Sequence, residues 1–104
     1  QHKVAVLVPV SGGNAAVGQS IANAANLALL ESGDKRIKLT VYNTATGASA
    51  AAAKAIAEGN KVILGPLLSG DVTAIEPQAK AAGVPIISFS NDSSVVGDGT
   101  YILG

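Results

Sequence analysis

Residues able to do covalent or metal chemistry are scarce in this chain, and their positions limit what it can host. The only histidine is His2, beside the amino terminus, and there is no cysteine. No Ser–His pair, thiolate zinc site or histidine-spaced metal cluster can be assembled. Asp71, Asp92 and Asp98 fall in segments that read as loops or a helix start. They can pair as carboxylates or hold a cation, but Asp71 is equally well placed to stabilise a helix amino terminus. The run Gly13-x4-Gly18 is followed by Gln19 and Ser20, where a phosphate-binding P-loop needs Lys and then Ser or Thr. Glycines at 12, 13 and 18 also miss the G-x-G-x-x-G spacing. We therefore expect no enzyme activity, nucleotide, metal or cofactor.

What remains is a rim of small hydroxyls and backbone amides: Ser11, Gly12 and Gly13, then Ser69 and Gly70, then Ser88, Ser90, Asn91, Ser93 and Ser94. Such groups suit recognition of an uncharged polar ligand, or capture of a carboxylate at helix amino termini, where N–H groups and the helix dipole favour negative charge. The structural alternative stays open: Ser69 as a helix cap only, and the later cluster as a solvated turn. The residues taken forward as ligand-binding candidates are Ser11, Gly12, Ser69, Gly70, Ser90, Asn91 and Asp92.

The elements that must carry this rim alternate between β-branched runs and Ala-rich helical stretches, the pattern of parallel strands joined by crossover helices. Residues 4–8 (VAVLV) read as a strand covered on both faces. Helical spacing puts Val17, Ile21, Ala24, Ala25, Ala28 and Leu29 on one inward face, with Gly33 as the stop. Residues 37–42 alternate as an edge strand with one wetter face. Ser49 or Thr46 is expected to cap a helix over 50–58. Residues 62–64 form a short strand, and Ser69 or Gly70 opens a helix reaching Ala82, in which Pro77 predicts a kink or a late start. Strands over 84–89 and 100–103 follow, separated by a polar loop. This is an α/β, three-layer, doubly wound parallel sheet, and the flavodoxin-like strand order 2-1-3-4-5 is expected. Ligands in such sheets sit beyond the carboxyl ends of the strands, so the loops of interest are 9–18, 43–49, 65–71 and 88–99.

Composition agrees with a folded chain and narrows its partners. With 104 residues, 48% of them hydrophobic, one core is expected, and residues 1–104 read as one partial domain. Seven basic residues balance seven acidic ones, and no segment gathers Lys or Arg into a stripe, so nucleic acid is not expected as a partner. Tyr42, Phe89 and Tyr101 are the only aromatics, too few for stacking platforms. No run approaches the roughly 20 apolar residues of a membrane-spanning helix. The absence of Met, with Gln1 at the start, reads as a piece of a longer polypeptide whose export signal was removed before position 1.

Three segments resemble a known family: KVAVLVPVSGGNAAVGQ, Gly65-Pro66-Leu67-Leu68-Ser69-Gly70, and AAGVPIISFSND. In this order and spacing they are similar to the first lobe of type I periplasmic binding proteins, the leucine/isoleucine/valine-binding class, and the similarity spans essentially the whole chain. Residues 89–99 are similar to a narrower branch, bacterial lipoproteins that activate penicillin-binding proteins. In the amino-acid binders, the resemblance implies, the substrate carboxylate is held at the position of Ser69 and by groups at Ser90 to Asp92. Asp92 departs from that pattern, because a hydroxyl residue is usual there and a carboxylate would repel the substrate's own. Val17 departs too, standing where an aromatic residue often covers the ligand. Both departures favour the activator branch.

Two readings follow from the resemblance, with a third from the strand order. The first is a periplasmic lobe that closes on a small polar ligand by a hinge with a second lobe beyond this chain. The second is a regulatory scaffold, lipid-anchored in full length, that contacts a cell-wall synthase. The weakest is a flavodoxin-like cofactor binder. The strands near the carboxyl end are expected to leave Ile86, Phe89, Ile102 and Leu103 poorly covered, and the 104-residue piece to dimerise or swap elements through them.

Overall fold

The computed structural model describes residues 2–88 and 99–102. Eight elements follow in order: β1 (His2–Val8), α1 (Ala15–Ser32), β2 (Ile37–Asn43), α2 (Ala48–Ala57), β3 (Val62–Leu64), α3 (Ser69–Ala82), β4 (Ile86–Ser88) and β5 (Thr100–Ile102). All pairings are parallel and the strand order is β2-β1-β3-β4-β5. β1 is the long central strand, in register with β2 from His2↔Ile37 to Val8↔Asn43. The expected 2-1-3-4-5 sheet is the one observed.

Alternation along the strands sends side chains to two helical layers. Ala5, Leu7, Tyr42, Ile63 and Ile86 pack with Ala48, Ala51, Ala52 and Ala55 of α2 and Ile75 and Ala79 of α3. On the other face Val6 and Val8 pack with Ala22 of α1, flanked by Ile21, Ala25, Leu39, Val41 and Leu64. Helices α1 and α3 both stop at a left-handed glycine, Gly33 (φ 68°) and Gly83 (φ 71°), where a side chain would be strained.

Three local expectations need correction, and at Pro77 one of two alternatives falls away. The buried side of α1 centres on Gly18 and Ala22, while Val17, Ala24 and Ala28 face solvent. The reason is a close approach: a Cβ on Gly18 would overlap the carbonyl oxygen of Pro9, so the helix rests on that carbonyl through its bare backbone. Neither Thr46 nor Ser49 caps α2. The helix starts at Ala48 from Gly47, whose φ of 139° makes the turn with no side-chain cap, and Ser49 lies inside the first turn. Pro77 does not delay α3, which begins at Ser69. Pro77 leaves the Thr73 carbonyl without its helical donor, and both residues are exposed, on the solvent side of α3 where such a loss costs least. Finally, Ile86 is 1% exposed, because it packs in one cluster with Ile75 and Ala79 of α3 and with Val84 of the connection that follows. Of the other residues expected to be uncovered, Phe89 and Leu103 lie outside the described residues.

Candidate functional site

β1 lies between β2 and β3, and the chain leaves β1 for α1 and β3 for α3 on opposite faces of the sheet. The carboxyl ends of β1 and β3 therefore diverge, which is the topological switch point where doubly wound sheets form a crevice. A cleft of about 280 Å³ opens there. One wall is the loop after β1, contributing Pro9, Ser11, Gly12, Gly13 and Asn14. The second wall is the turn after β2, with Thr44 and Ala45, and the third is the entry to α3, with Leu68 and Asp71.

Each wall is held by backbone geometry. In the first loop Gly12 takes φ 77° and its carbonyl accepts from the Ala15 N–H (3.2 Å), which turns the chain into α1. In the second wall the Thr44 N–H donates to the Val8 carbonyl (3.1 Å), extending the β1–β2 ladder by one bond, and the Gly47 N–H donates back to the Thr44 carbonyl (3.1 Å). Gly65 has φ 102°, and a Cβ there would overlap the Leu7 carbonyl oxygen, so the chain leaving β3 presses its bare backbone against β1 on its way to α3. Leu68 then accepts from the Asp71 and Val72 N–H groups, both at 3.1 Å.

One side chain ties the first two walls together. Asn43, the last residue of β2, accepts through Oδ1 from the Val10 N–H and the Ala45 N–H, each at 3.0 Å, and donates through Nδ2 to Ser11 Oγ at 3.0 Å. Gln19 reaches back from α1 to the Val10 carbonyl at 3.4 Å.

Ser11 and Gly12 both line the cleft. Ser69 is the first residue of α3, half-buried beyond the end of β3, and Gly70 beside it is exposed. The cleft wall is formed by their neighbours Leu68 and Asp71 instead. Ser90, Asn91 and Asp92, like Asp98, lie outside the described residues. Ser88 leaves the proposed rim, because it is fully buried and its hydroxyl donates to the Pro66 carbonyl at 3.3 Å. Asn43, Thr44, Ala45 and Leu68 were not singled out by sequence reasoning. The signal for all four was their place in the loops 43–49 and 65–71 beyond a strand's carboxyl end.

Asp71 is the charged residue on the described cleft wall, set in the first turn of α3 where the helix dipole favours a carboxylate. The perturbed titrations lie elsewhere. Burial pushes the Tyr42 phenol up, and its hydrogen bond to Glu58 adds to that, while the Asn60 amide opposes it. On the surface the Arg36 side chain beside Asp34 lowers the carboxyl and is itself raised. Among the described residues no three His, Cys, Asp or Glu side chains gather as a metal site, and no helix is long and apolar enough to cross a membrane.

Comparisons with known proteins agree with this geometry. The chain is 31% identical over 98% of its length to the uncharacterized protein RP748 of Rickettsia prowazekii, and spans 28% of that relative. Among solved structures it is similar to the leucine-binding protein LivK of Thermotoga maritima (27% identity, TM-score 0.87), covering 98% of this chain and 32% of that one. A solute-binding protein of an ABC transporter from Rhodopseudomonas palustris BisB5, in complex with 3,4-dihydroxybenzoic acid, matches at 29% identity and TM-score 0.85 over 98% of this chain and 31% of that one. LpoA of Haemophilus influenzae matches at 25% identity and TM-score 0.75, over 97% of this chain and 19% of that one. The sequence model of one family, described as periplasmic binding protein, matches residues 1–102, and the chain belongs to that family.

Proposed function

We propose that residues 1–104 are part of the first lobe of a two-lobed, non-enzymatic solute-binding protein that takes a small polar or amino-acid-like ligand. The observation that carries this is the switch-point cleft itself, walled by Ser11, Gly12, Asn14 and Thr44 and opening where α/β sheets hold ligands. Ser11 and Gly12 serve the ligand from the first loop, Ser69 and Gly70 from the start of α3, and Ser90, Asn91 and Asp92 from the segment after β4. Closure against a second lobe completes the site. Membership of the family implies a periplasmic location. The test is isothermal titration of the full-length protein with the twenty amino acids, 4-hydroxybenzoate and 3,4-dihydroxybenzoate. Saturable heat is the expected result, and silence across the panel overturns the reading.

A second reading is a lipid-anchored scaffold that activates a cell-wall synthase. It is supported by the likeness to LpoA, one structure of which is described as a regulator of PBP1A, and by the carboxylate of Asp71 on the cleft wall, which repels an acidic ligand. A silent titration together with co-purification of a penicillin-binding protein would select it. The flavodoxin-like alternative shares the strand order but not the family.

A further inference from the structure

We propose that Asn43 is the positioning residue of the cleft: it joins the loops after β1 and β2 and turns the Ser11 hydroxyl so that its proton is offered to an acceptor oxygen of the ligand. This rests on the reading of the cleft as a solute site.

The donor and acceptor chemistry leaves one assignment of the Asn43 amide. Two of its neighbours, the backbone N–H groups of Val10 and Ala45, can only donate, so the atom facing both at 3.0 Å is the oxygen. The other atom is then the NH2 group, and at 3.0 Å from Ser11 Oγ it must donate to it. A serine hydroxyl carries one proton and two lone pairs. With one lone pair occupied from the Asn43 side, the proton of Ser11 points away from Asn43, and Ser11 borders the cleft. The bond to Ala45 is the local turn an Asn commonly makes two residues on. The bonds to Val10 and Ser11 are different in kind, since they span 33 and 32 residues of sequence and cross from β2 to the loop of β1. Asn43 itself is only half-buried and does not line the cleft, so it acts on a ligand through Ser11.

The test compares Asn43→Asp, Asn43→Ala and Ser11→Ala in the full-length protein. A carboxylate still accepts from Val10 and Ala45, with charge assistance, but it cannot donate, so the Ser11 proton turns toward it and away from the cleft. Asn43→Asp is therefore expected to leave the thermal midpoint unchanged or raised while weakening whichever of L-leucine, 4-hydroxybenzoate or 3,4-dihydroxybenzoate the wild type binds by about tenfold or more. Ser11→Ala should lose a similar factor, and the double variant little more. Asn43→Ala should lower both stability and affinity. Wild-type affinity in Asn43→Asp, or losses that multiply in the double variant, would overturn the proposal. A ligand-free measurement separates it from the solute reading: one side-chain amide proton of Asn43 should exchange slowly in NMR spectra and lose that protection in Ser11→Ala. If it does not, the tie is refuted even where ligands bind. If it does while every titration is silent, Asn43 holds Ser11 but the solute reading, and the ligand-directed half of the proposal, fail.

Discussion

The two faces of the sheet are built to different completeness. On the face under α2 and α3, Ala5, Leu7, Ile63, Ile75 and Ile86 are at most 1% exposed. Two helices share that face and meet each other, with Gln78 of α3 donating to the Ser49 carbonyl of α2 at 3.0 Å. The alanines of α2 make this feasible, because Ala48, Ala51, Ala52 and Ala55 let the helix backbone lie close to the strands. On the other face, among the described residues, α1 is the one helix that packs on Val6 and Val8. Beside it a groove of about 330 Å³ runs over Val4, Ile37, Leu39, Val62 and Leu64, all only half-buried. The α2/α3 face is therefore the more evenly covered of the two, while on the α1 face burial is complete at Val6 and Val8 and falls away along the groove, with Gly18 against the Pro9 carbonyl as the tightest contact of the helix.

That contact is the most sensitive point of the contrast. Gly18→Ala places a methyl group against the Pro9 carbonyl, which is backbone and cannot swing aside. We expect a loss of about 3–5 kcal/mol, as for other severe core lesions, seen as a fall in the urea midpoint with the slope of the transition unchanged. A stability within 1 kcal/mol of wild type, by the same measurement, would show that α1 can shift freely and that the face is looser than described.

Ile63 and Leu64 test the contrast within one strand, since they are neighbours pointing to opposite faces. Ile63→Ala removes a side chain with no exposure and should cost about 3 kcal/mol. Leu64→Ala, half-buried beside the groove, should cost about 1 kcal/mol. Equal losses in chemical denaturation would mean that the α1 face is as well covered as its opposite.

Tyr42 adds a polar element to the closed face. Its hydroxyl donates to Glu58 Oε1 and accepts from Asn60 Nδ2 at 2.9 Å, and Asn60 also donates to the Ala55 carbonyl at 2.8 Å. Asn60 Oδ1 is buried without a partner among the described residues. Tyr42→Phe should cost about 1 kcal/mol at neutral pH. The folded state holds the phenol above its ordinary value of 10.0, because burial and the neighbouring carboxylate both disfavour phenolate. The neutral form is thus the one the fold stabilises. That contribution is complete below the unfolded-state pKa and is lost as pH rises through the folded one. Thermal melts should show the wild type losing stability above about pH 10 and Tyr42→Phe losing less. Parallel alkaline profiles would remove Tyr42 as the cause.

The smallest effect is expected on the outer side of α1. Leu30 is 78% exposed, so Leu30→Gln should change stability by no more than about 0.5 kcal/mol. A larger loss by denaturant titration would place Leu30 in a contact that the described residues do not include.

Much of the fold was legible from local signals. Runs such as VAVLV and KVIL, glycines at 33 and 83 and the alternation of strand with helix carry their meaning within a few residues, and strand order followed from handedness and connection length. Ser69 at the start of α3 was legible for the same reason, since Gly65-Pro66 ends a strand immediately before it. Two of the candidate ligand residues, Ser11 and Gly12, were found from glycines and hydroxyls in a loop at a strand's carboxyl end.

What the sequence could not decide are contacts between residues far apart in the chain. Helical spacing names six apolar positions on α1 but not which side turns inward, because that depends on Gly18 meeting the Pro9 carbonyl in space. Asn43 reads as an ordinary turn residue, and its bonds to Val10 and Ser11 exist only once β1 and β2 lie in register. The chain alone determines which elements form and roughly where a cleft must open. The tertiary structure decides which side chains wall that cleft and which way their protons point, since both are set by atoms brought together from separate strands.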